Sequence, residues 1–207
     1  MSPERPALRA AGMDDAGAAA DILAAAFAAD PVMSWTFGGN SAFRTIFHEL
    51  ARGVYLKHGF GHIADGGVGG GRAATLWLPA GAALSLPPLN ELRIALASVR
   101  HGGFGAVARA LKIAGVLEKH HPQEPHYYLF AVGVTPGAQG QGLGGALLRE
   151  GLKRADEEGA IAYLENSNPK NTPLYERLGF RVTAPLPLPA GAPPLLSMRR
   201  APQGASS

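Results

Sequence analysis

The stretch from Tyr127 to Gly145 constrains the fold most. An apolar run, Tyr-Tyr-Leu-Phe-Ala-Val-Gly-Val, turns through Thr-Pro-Gly-Ala and enters Gln-Gly-Gln-Gly-Leu-Gly-Gly. Residues in this order predict a buried strand, a short polar corner and a helix whose first turn carries almost no side chains. Such a turn leaves backbone N–H groups unpaired at the positive end of a helix dipole, which suits a phosphate or pyrophosphate.

The remaining elements are expected around this one. Ala7 to Ala11 reads as a first strand, and Asp14 or Asp15 caps a helix running to Ala28 with Ile22, Leu23 and Phe27 on its apolar face. Asp30-Pro31 stops it, because the residue before proline avoids helical backbone angles. Trp35 and Phe37 are expected on an irregular segment, before a helix from about Ala42 to Lys57. Gly59–Asp65 and Arg72–Pro79 read as a hairpin whose glycine-dense connector, Gly66 to Gly71, is a loop rather than a phosphate cradle, since no Lys-Ser/Thr follows it.

Leu89, Leu92, Leu96, Val99, Phe104, Val107 and Leu111 repeat at helical spacing on both sides of Gly102-Gly103, so residues 84–119 are expected as an inserted helical pair, a lid, a pocket wall or simple packing. After the glycine turn come a helix to about Gly159, a strand Ile161–Glu165, a short helix capped by Asn171 over Pro173–Leu178, and final strands at Phe180–Thr183 and Leu195–Met198. The expectation is one α/β domain over residues 1–200 with a disordered tail, 201–207.

With 207 residues and a formal charge of +3, the chain shows neither a run long enough to span a bilayer nor a concentrated basic face, so no membrane or nucleic-acid partner is expected. Its N-terminus lacks a basic region followed by an apolar core, and a cytoplasmic protein, monomer or homodimer, is expected. Cysteine is absent, which removes disulfides and thiolate metal sites. His120, His121 and His126 cluster, but adjacent residues on an extended chain point opposite ways, so no metal site is expected.

Gly140-x-Gly142-x-x-Gly145 fits a dinucleotide fingerprint, with Glu165 ending the next strand as that motif's ribose-binding acid would. Thr135 to Gln139, however, separates the strand from the first glycine, where that fold has a tight turn. Read instead as Gln139-x-x-Gly142-x-Gly144, and taken with Asn171 and Tyr175-Glu176-Arg177-Leu178-Gly179-Phe180, the chain resembles the GNAT superfamily of acyl-CoA-dependent N-acyltransferases. Within it, Pro122-x-Glu124-Pro125, Val132-Gly133-Val134 and Gln139-Gly140-x-Gly142-Leu143-Gly144 are similar to the puromycin N-acetyltransferase branch, although Gln141 stands where that branch usually has lysine.

The resemblance implies a GNAT fold, a central mixed, mostly antiparallel sheet flanked by helices. It also implies acetyl-CoA as co-substrate and a primary amine of a small molecule, such as an aminonucleoside antibiotic, as acceptor. Val132, Gly133, Val134, Gln139, Gly140, Gln141, Gly142, Leu143, Gly144, Gly145 and Asn171 are then the cofactor-binding positions. Tyr175 is the proton donor to the leaving thiolate, its other reading being a buried structural tyrosine. By position, Glu165, Glu124 and His126 are candidates for the base. Trp35, Phe37, Trp77 and His126 are candidates for the acceptor pocket, with core packing the alternative for the three large aromatics. A non-catalytic acyl-CoA-binding domain and a protein N-acetyltransferase are the other functions such a chain can serve.

Overall fold

The structure, a computed structural model, describes residues 7–67, 71–82 and 85–204. The centre of the expected glycine connector, the first residue of the expected insertion and the last residues of the expected tail (68–70, 84 and 205–207) lie outside them. Seven strands form one mixed sheet: β1 (Ala7–Ala11), β2 (Phe60–Gly67), β3 (Gly71–Leu78), β4 (His126–Val134), β5 (Ile161–Asn166), β6 (Arg181–Pro185) and β7 (Leu196–Arg200), in the spatial order β1-β2-β3-β4-β5-β7-β6. Every neighbouring pair is antiparallel except β4 and β5.

That parallel pair sets up the site. Only His126–Tyr128 pairs with Ile161–Tyr163; beyond Tyr128, β4 runs on to Val134 with no register to β5, and the two strands part. On its other edge, β4 carries one extra residue against β3: Leu76 faces Ala131 and Trp77 faces Leu129, leaving Phe130 as a bulge. Two consecutive side chains, Phe130 and Ala131, therefore pack on the same face, against Phe47, Tyr55 and Leu23's cluster. The alternation then resumes, with Val132 and Val134 on the opposite face.

Helices cover both faces. One face takes α1 (Ala16–Ala26), α2 (Pro31–Phe37), α3 (Phe43–Leu50) and α5 (Pro88–His120). The other takes α6 (Leu143–Glu157) and α7 (Thr172–Arg177), packed through Leu148, Leu152, Leu174 and Leu178. Between α3 and the short α4 (Leu56–His58), a π-turn over Ala51–Tyr55 widens the helix and brings Tyr55 to stack on Phe130, with ring centroids 4.2 Å apart and planes at 10°. Among the described residues no single helix is long and apolar enough to cross a membrane.

Some local expectations are corrected. Trp35 and Phe37 lie on a helix, because Asp30-Pro31 starts α2: Asp30 Oδ1 accepts the Met33 N–H at 2.9 Å, and Pro31 occupies the first turn where no amide donor is needed. Asp15 does not bond a helix amide; its carboxylate takes the Gly12 N–H and a two-pronged contact from Arg9 at 2.8 Å. α1 ends at Ala26 rather than Ala28. Asn171 makes no capping bond, because Asn168, three residues earlier, caps the turn through the Lys170 N–H.

The expected helical pair is a broken helix, α5, whose two central glycines serve different needs. Gly103 bends it at φ 69°, ψ −179°, a conformation open in practice only to glycine. Gly102 admits α2: a Cβ there would stand 2.1 Å from the Phe37 carbonyl oxygen. The first half of α5 is tied to α3 through buried Glu49, held by Asn90 Nδ2 at 2.7 Å, Arg93 at 3.4 Å and His48 Nδ1 at 3.1 Å.

Candidate functional site

Where β4 and β5 part, a cleft of about 600 Å³ opens. One wall is Val132, Gly133 and Val134 of β4; the floor is the turn Ala138–Gly145; the opposite wall is Asn168, Lys170, Asn171, Leu174, Tyr175 and Arg177. The rim is closed by Ala26, Phe27, Ala29 and Asp30. Of the eleven positions expected to bind a cofactor, ten line this cleft, all but Gln141.

The turn has the geometry its glycines imply. Gly140 and Gly142 sit at φ 79° and 80°, where a side chain would be strained, and Gly142 is the N-cap of α6. The first intrahelical bond is donated by Ala146 N–H to the Gly142 carbonyl, so the N–H groups of Leu143, Gly144 and Gly145 have no carbonyl one turn back. Gly144 is further hemmed by Val134, whose Cγ2 would lie 3.3 Å from an added Cβ. Gln139 braces the corner by donating to the Val134 carbonyl at 3.3 Å. Lys170 and Arg177 bring two positive charges to the same cleft, and so the donors, the dipole and the cations all favour an anion there.

Gly133 is small for a different reason than ligand approach. An added Cβ would stand 2.7 Å from Ala26 Cβ and 3.0 Å from Leu23 Cδ2, so the glycine lets α1 lie against β4. Its backbone, not its vacated side-chain space, faces the cleft.

Tyr175 lines the cleft from α7 and is buried, its ring edge-on to Phe180 at 6.0 Å. Burial, and then the nearby Asp30 carboxylate, push its phenol above the ordinary tyrosine range, which keeps it protonated and able to donate at neutral pH. Asp30 is fixed by the Met33 N–H and by the Ser167 hydroxyl.

Glu165 lies behind the cleft rather than in its lining. Its side chain is 6 % exposed, and Oε1 has no hydrogen-bond partner among the described residues. The Tyr163 hydroxyl is buried and unpartnered too. Burial first, and the Glu165 charge second, push the phenols of Tyr55, Tyr128 and Tyr163 upward, so three protonated hydroxyls surround this carboxylate.

The four residues expected to form an acceptor pocket do not line the cleft. Trp77 is fully buried, stacked on Phe60 with ring centroids 6.1 Å apart and so tight under α6 that a Cβ on Gly151 would meet its ring at 2.5 Å. Phe37 is core, edge-on to Phe43. Trp35 packs beside the Val32–Ile113–Leu195 cluster under the Arg109 guanidinium. His126 lines a separate recess of about 330 Å³ with His121, Glu124 and Tyr128. In their place the cleft presents Phe27, backed by Phe47 at 5.2 Å, and the carboxylate of Asp30. Nothing in the local spacing of Asp30, Lys170 and Arg177 marks them as site residues; only the chain's return to the cleft does. No group of three or more histidines or carboxylates among the described residues is placed to hold a metal.

Residues 76–180, just over half of the chain, match the acetyltransferase (GNAT) family. The chain belongs to that family, whose members transfer an acetyl group from acetyl-CoA. The structure of histone acetyltransferase HPA2 and related acetyltransferase from Corynebacterium glutamicum superposes with a TM-score of 0.70 at 28% identity over 98% of this chain and 99% of its own. Arylalkylamine N-acetyltransferase 2 from Aedes aegypti shares the fold, with a TM-score of 0.61 at 13% identity over 97% of this chain and 100% of its own.

Among curated relatives, mycothiol acetyltransferase of Streptomyces avermitilis is 43% identical over 65 residues, 30% of this chain and 21% of the relative. That of Streptomyces scabiei is 39% identical over 82 residues, 38% of this chain and 27% of the relative. The chain thus matches about a quarter of the length of these relatives. Their name differs from the puromycin-type branch that the sequence motifs suggest, so the comparisons carry the GNAT acetyltransferase class and no particular acceptor.

Proposed function

We propose that residues 1–200 act as one catalytic domain that transfers the acetyl group of acetyl-CoA directly to a primary amine of a small molecule, both substrates being bound together. The observation that carries this reading is the coincidence, in one cleft, of the unpaired N–H groups of the glycine turn, the unpaired edge of β4 and the protonated phenol of Tyr175. Acetyl-CoA supplies a thioester, an acetyl group already activated for attack by a neutral amine. The turn from Gly140 to Gly145, helped by Lys170 and Arg177, holds the pyrophosphate. The main chain of Val132–Val134, free of β5, pairs with the extended pantetheine arm and offers N–H groups to the carbonyl oxygen as charge develops on it.

Asn171, released from capping duty, orients the thiol end. Tyr175 donates its proton to the departing thiolate. Glu165 accepts the proton that the amine loses, through its unpartnered oxygen at the head of the splay. Phe27 and the aromatic wall behind it favour an acceptor with a flat or apolar body, and Asp30 favours one bearing positive charge. An aminonucleoside such as puromycin answers that description.

Free-thiol release measured across a panel of puromycin, an arylalkylamine, agmatine and a mycothiol-type acceptor tests the proposal. Turnover of at least one amine, reduced about 100-fold or more by Glu165→Gln, is expected, that being the lower end of what a positioned base contributes. Saturable acetyl-CoA binding with no turnover of any acceptor, unchanged by Tyr175→Phe, would instead make the chain a non-catalytic acyl-CoA sensor.

A further inference from the structure

At the junction of α5 and β4, the chain does something that a loop has no structural need to do: it brings two imidazoles into line behind a buried carboxylate. His121 is the first residue past α5, at φ −63°, ψ 136°, the extended conformation imposed by the proline that follows it. Its ring therefore leaves the helix face and turns inward, edge-on to Tyr128 at 4.9 Å and to Tyr163 at 5.2 Å. His121 Nδ1 lies 3.7 Å from Glu165 Oε1, the oxygen that has no other partner. His121 Nε2 lies 2.9 Å from His126 Nε2, and His126 Nδ1 lies 2.8 Å from the Glu124 carbonyl oxygen.

Hydrogen-bond roles follow from chemistry. A carbonyl oxygen only accepts, so His126 Nδ1 carries a proton and, in the neutral ring, its Nε2 does not. His126 Nε2 must then accept, and His121 Nε2 must donate to it. In a neutral His121 this leaves Nδ1 bare, facing Glu165. A bare Nδ1 there is placed to take up a proton once Glu165 has received one from the amine. Burial leads in lowering the His126 imidazole, with the nearby His121 ring adding to it against the opposing pull of the Glu124 carbonyl and Glu165, which keeps His126 neutral and ready to accept at pH 7. Exposure rises along the line, from 6 % for the Glu165 side chain to 28 % for that of His121, and both rings border the surface recess.

We propose that His121 and His126 form a proton relay that carries the proton taken up by Glu165 from the acceptor amine out to the recess between α5 and β4. This rests on Glu165 serving as the base. The amine N–H bond breaks as an O–H bond forms on the Glu165 carboxylate. The protonated carboxyl then rotates to close the 3.7 Å between Oε1 and His121 Nδ1 to hydrogen-bond length. Its O–H bond breaks as Nδ1–H forms on His121, and the His121 Nε2 proton passes to His126 Nε2. The resulting imidazolium gives one proton to water or buffer in the recess, and no electron pair leaves the line. Other ionisable groups facing the pair are Tyr163 of β5, Tyr128 of β4 and Glu124, whose carboxylate is held by Arg199 at 2.6 Å, while Tyr55 of the π-turn faces Glu165.

The test has a kinetic arm and an arm that needs no acceptor. With the amine that gives the fastest thiol release, at low buffer concentration, His121→Ala and His126→Ala should each lower kcat, by less than the roughly 100-fold or more expected for loss of the base itself because Glu165 remains in place. Added imidazole or concentrated buffer should restore much of the loss, with the KM for acetyl-CoA unchanged. Wild-type kcat in both variants at low buffer, or a loss that imidazole leaves untouched, would overturn the relay. If Glu165→Gln kept the wild-type rate, the base assignment would fail and the relay with it. Loss in Glu165→Gln alone, with both histidine variants at full rate, would sink the relay and leave the base standing.

In the full chain, nitrogen-detected NMR of the imidazoles should show His126 protonated at Nδ1 and His121 at Nε2. Glu165→Gln removes a negative charge that raises the His126 imidazole, so the His126 midpoint should move to lower pH. The opposite tautomers, or no response of His126 to Glu165→Gln, would contradict the proposal whether or not an acceptor is in hand.

Discussion

Tyr175→Phe is expected to lower kcat by about 100-fold or more, with the KM for acetyl-CoA changed by no more than about twofold. The phenol acts on a charge that exists only as the carbon–sulfur bond breaks, so its loss is felt in the transition state and not in binding. Burial and Asp30 hold the hydroxyl protonated, which makes it an acid and never a base under physiological conditions. The ring remains in Tyr175→Phe, and with it the edge-on contact to Phe180. Thermal stability should therefore be nearly unchanged, which separates a chemical loss from a structural one. Steady-state thiol release alongside a melting curve decides the matter; full activity in the variant would remove Tyr175 from the mechanism.

Arg200→Met is expected to cost about 3 kcal/mol of stability, at the lower end for a broken buried ion pair because Asp156 keeps some contact with water. For a chain of this size that lowers Tm by about 6 to 12 °C. Arg200 is 3 % exposed and grips both Asp156 carboxylate oxygens, at 2.7 and 2.8 Å, while its Nε donates to the Leu178 carbonyl at 2.7 Å. One side chain thus ties β7 to the end of α6 and to the end of α7, the helix that presents Tyr175. Burial alone would raise the Asp156 carboxyl, but the Arg200 guanidinium and the Gln203 N–H outweigh it and hold it below the ordinary carboxylate range. A lowered folded-state value gives stability that is whole above the unfolded carboxylate's pKa of about 3.9 and is lost as pH falls below it. The gap between wild type and Arg200→Met should therefore narrow under acid, which melting curves at neutral and acid pH would show.

The glycine turn and its neighbours were legible because their chemistry is local. A strand, a corner and glycines at fixed offsets specify backbone angles on their own, and Gly140 and Gly142 adopt the positive φ that their positions imply. The residues that misled are those whose roles are decided by distant partners. Trp77 looked available as a pocket wall until α6 was seen to lay Gly151 against it. Gly133 lines the cleft, yet the room its missing side chain leaves is taken by Ala26 of α1. Asp30-Pro31, expected as a stop, is a start, which is why Trp35 and Phe37 are helical. Two adjacent histidines do point apart, yet one finishes a helix while the other, turned by proline, finds a carboxylate on β5. Lys170 and Arg177 reach the cleft through tertiary placement alone.

Amide hydrogen exchange with and without acetyl-CoA tests the central claim most directly, because the claim is that this particular turn and strand edge hold the cofactor. Saturable protection confined to Val132–Val134 and the Gln139–Gly145 turn, weakened when Gly142→Val strains the N-cap, is the predicted result. Exchange at those amides unchanged by acetyl-CoA, or protected by NADH in its place, would contradict the account.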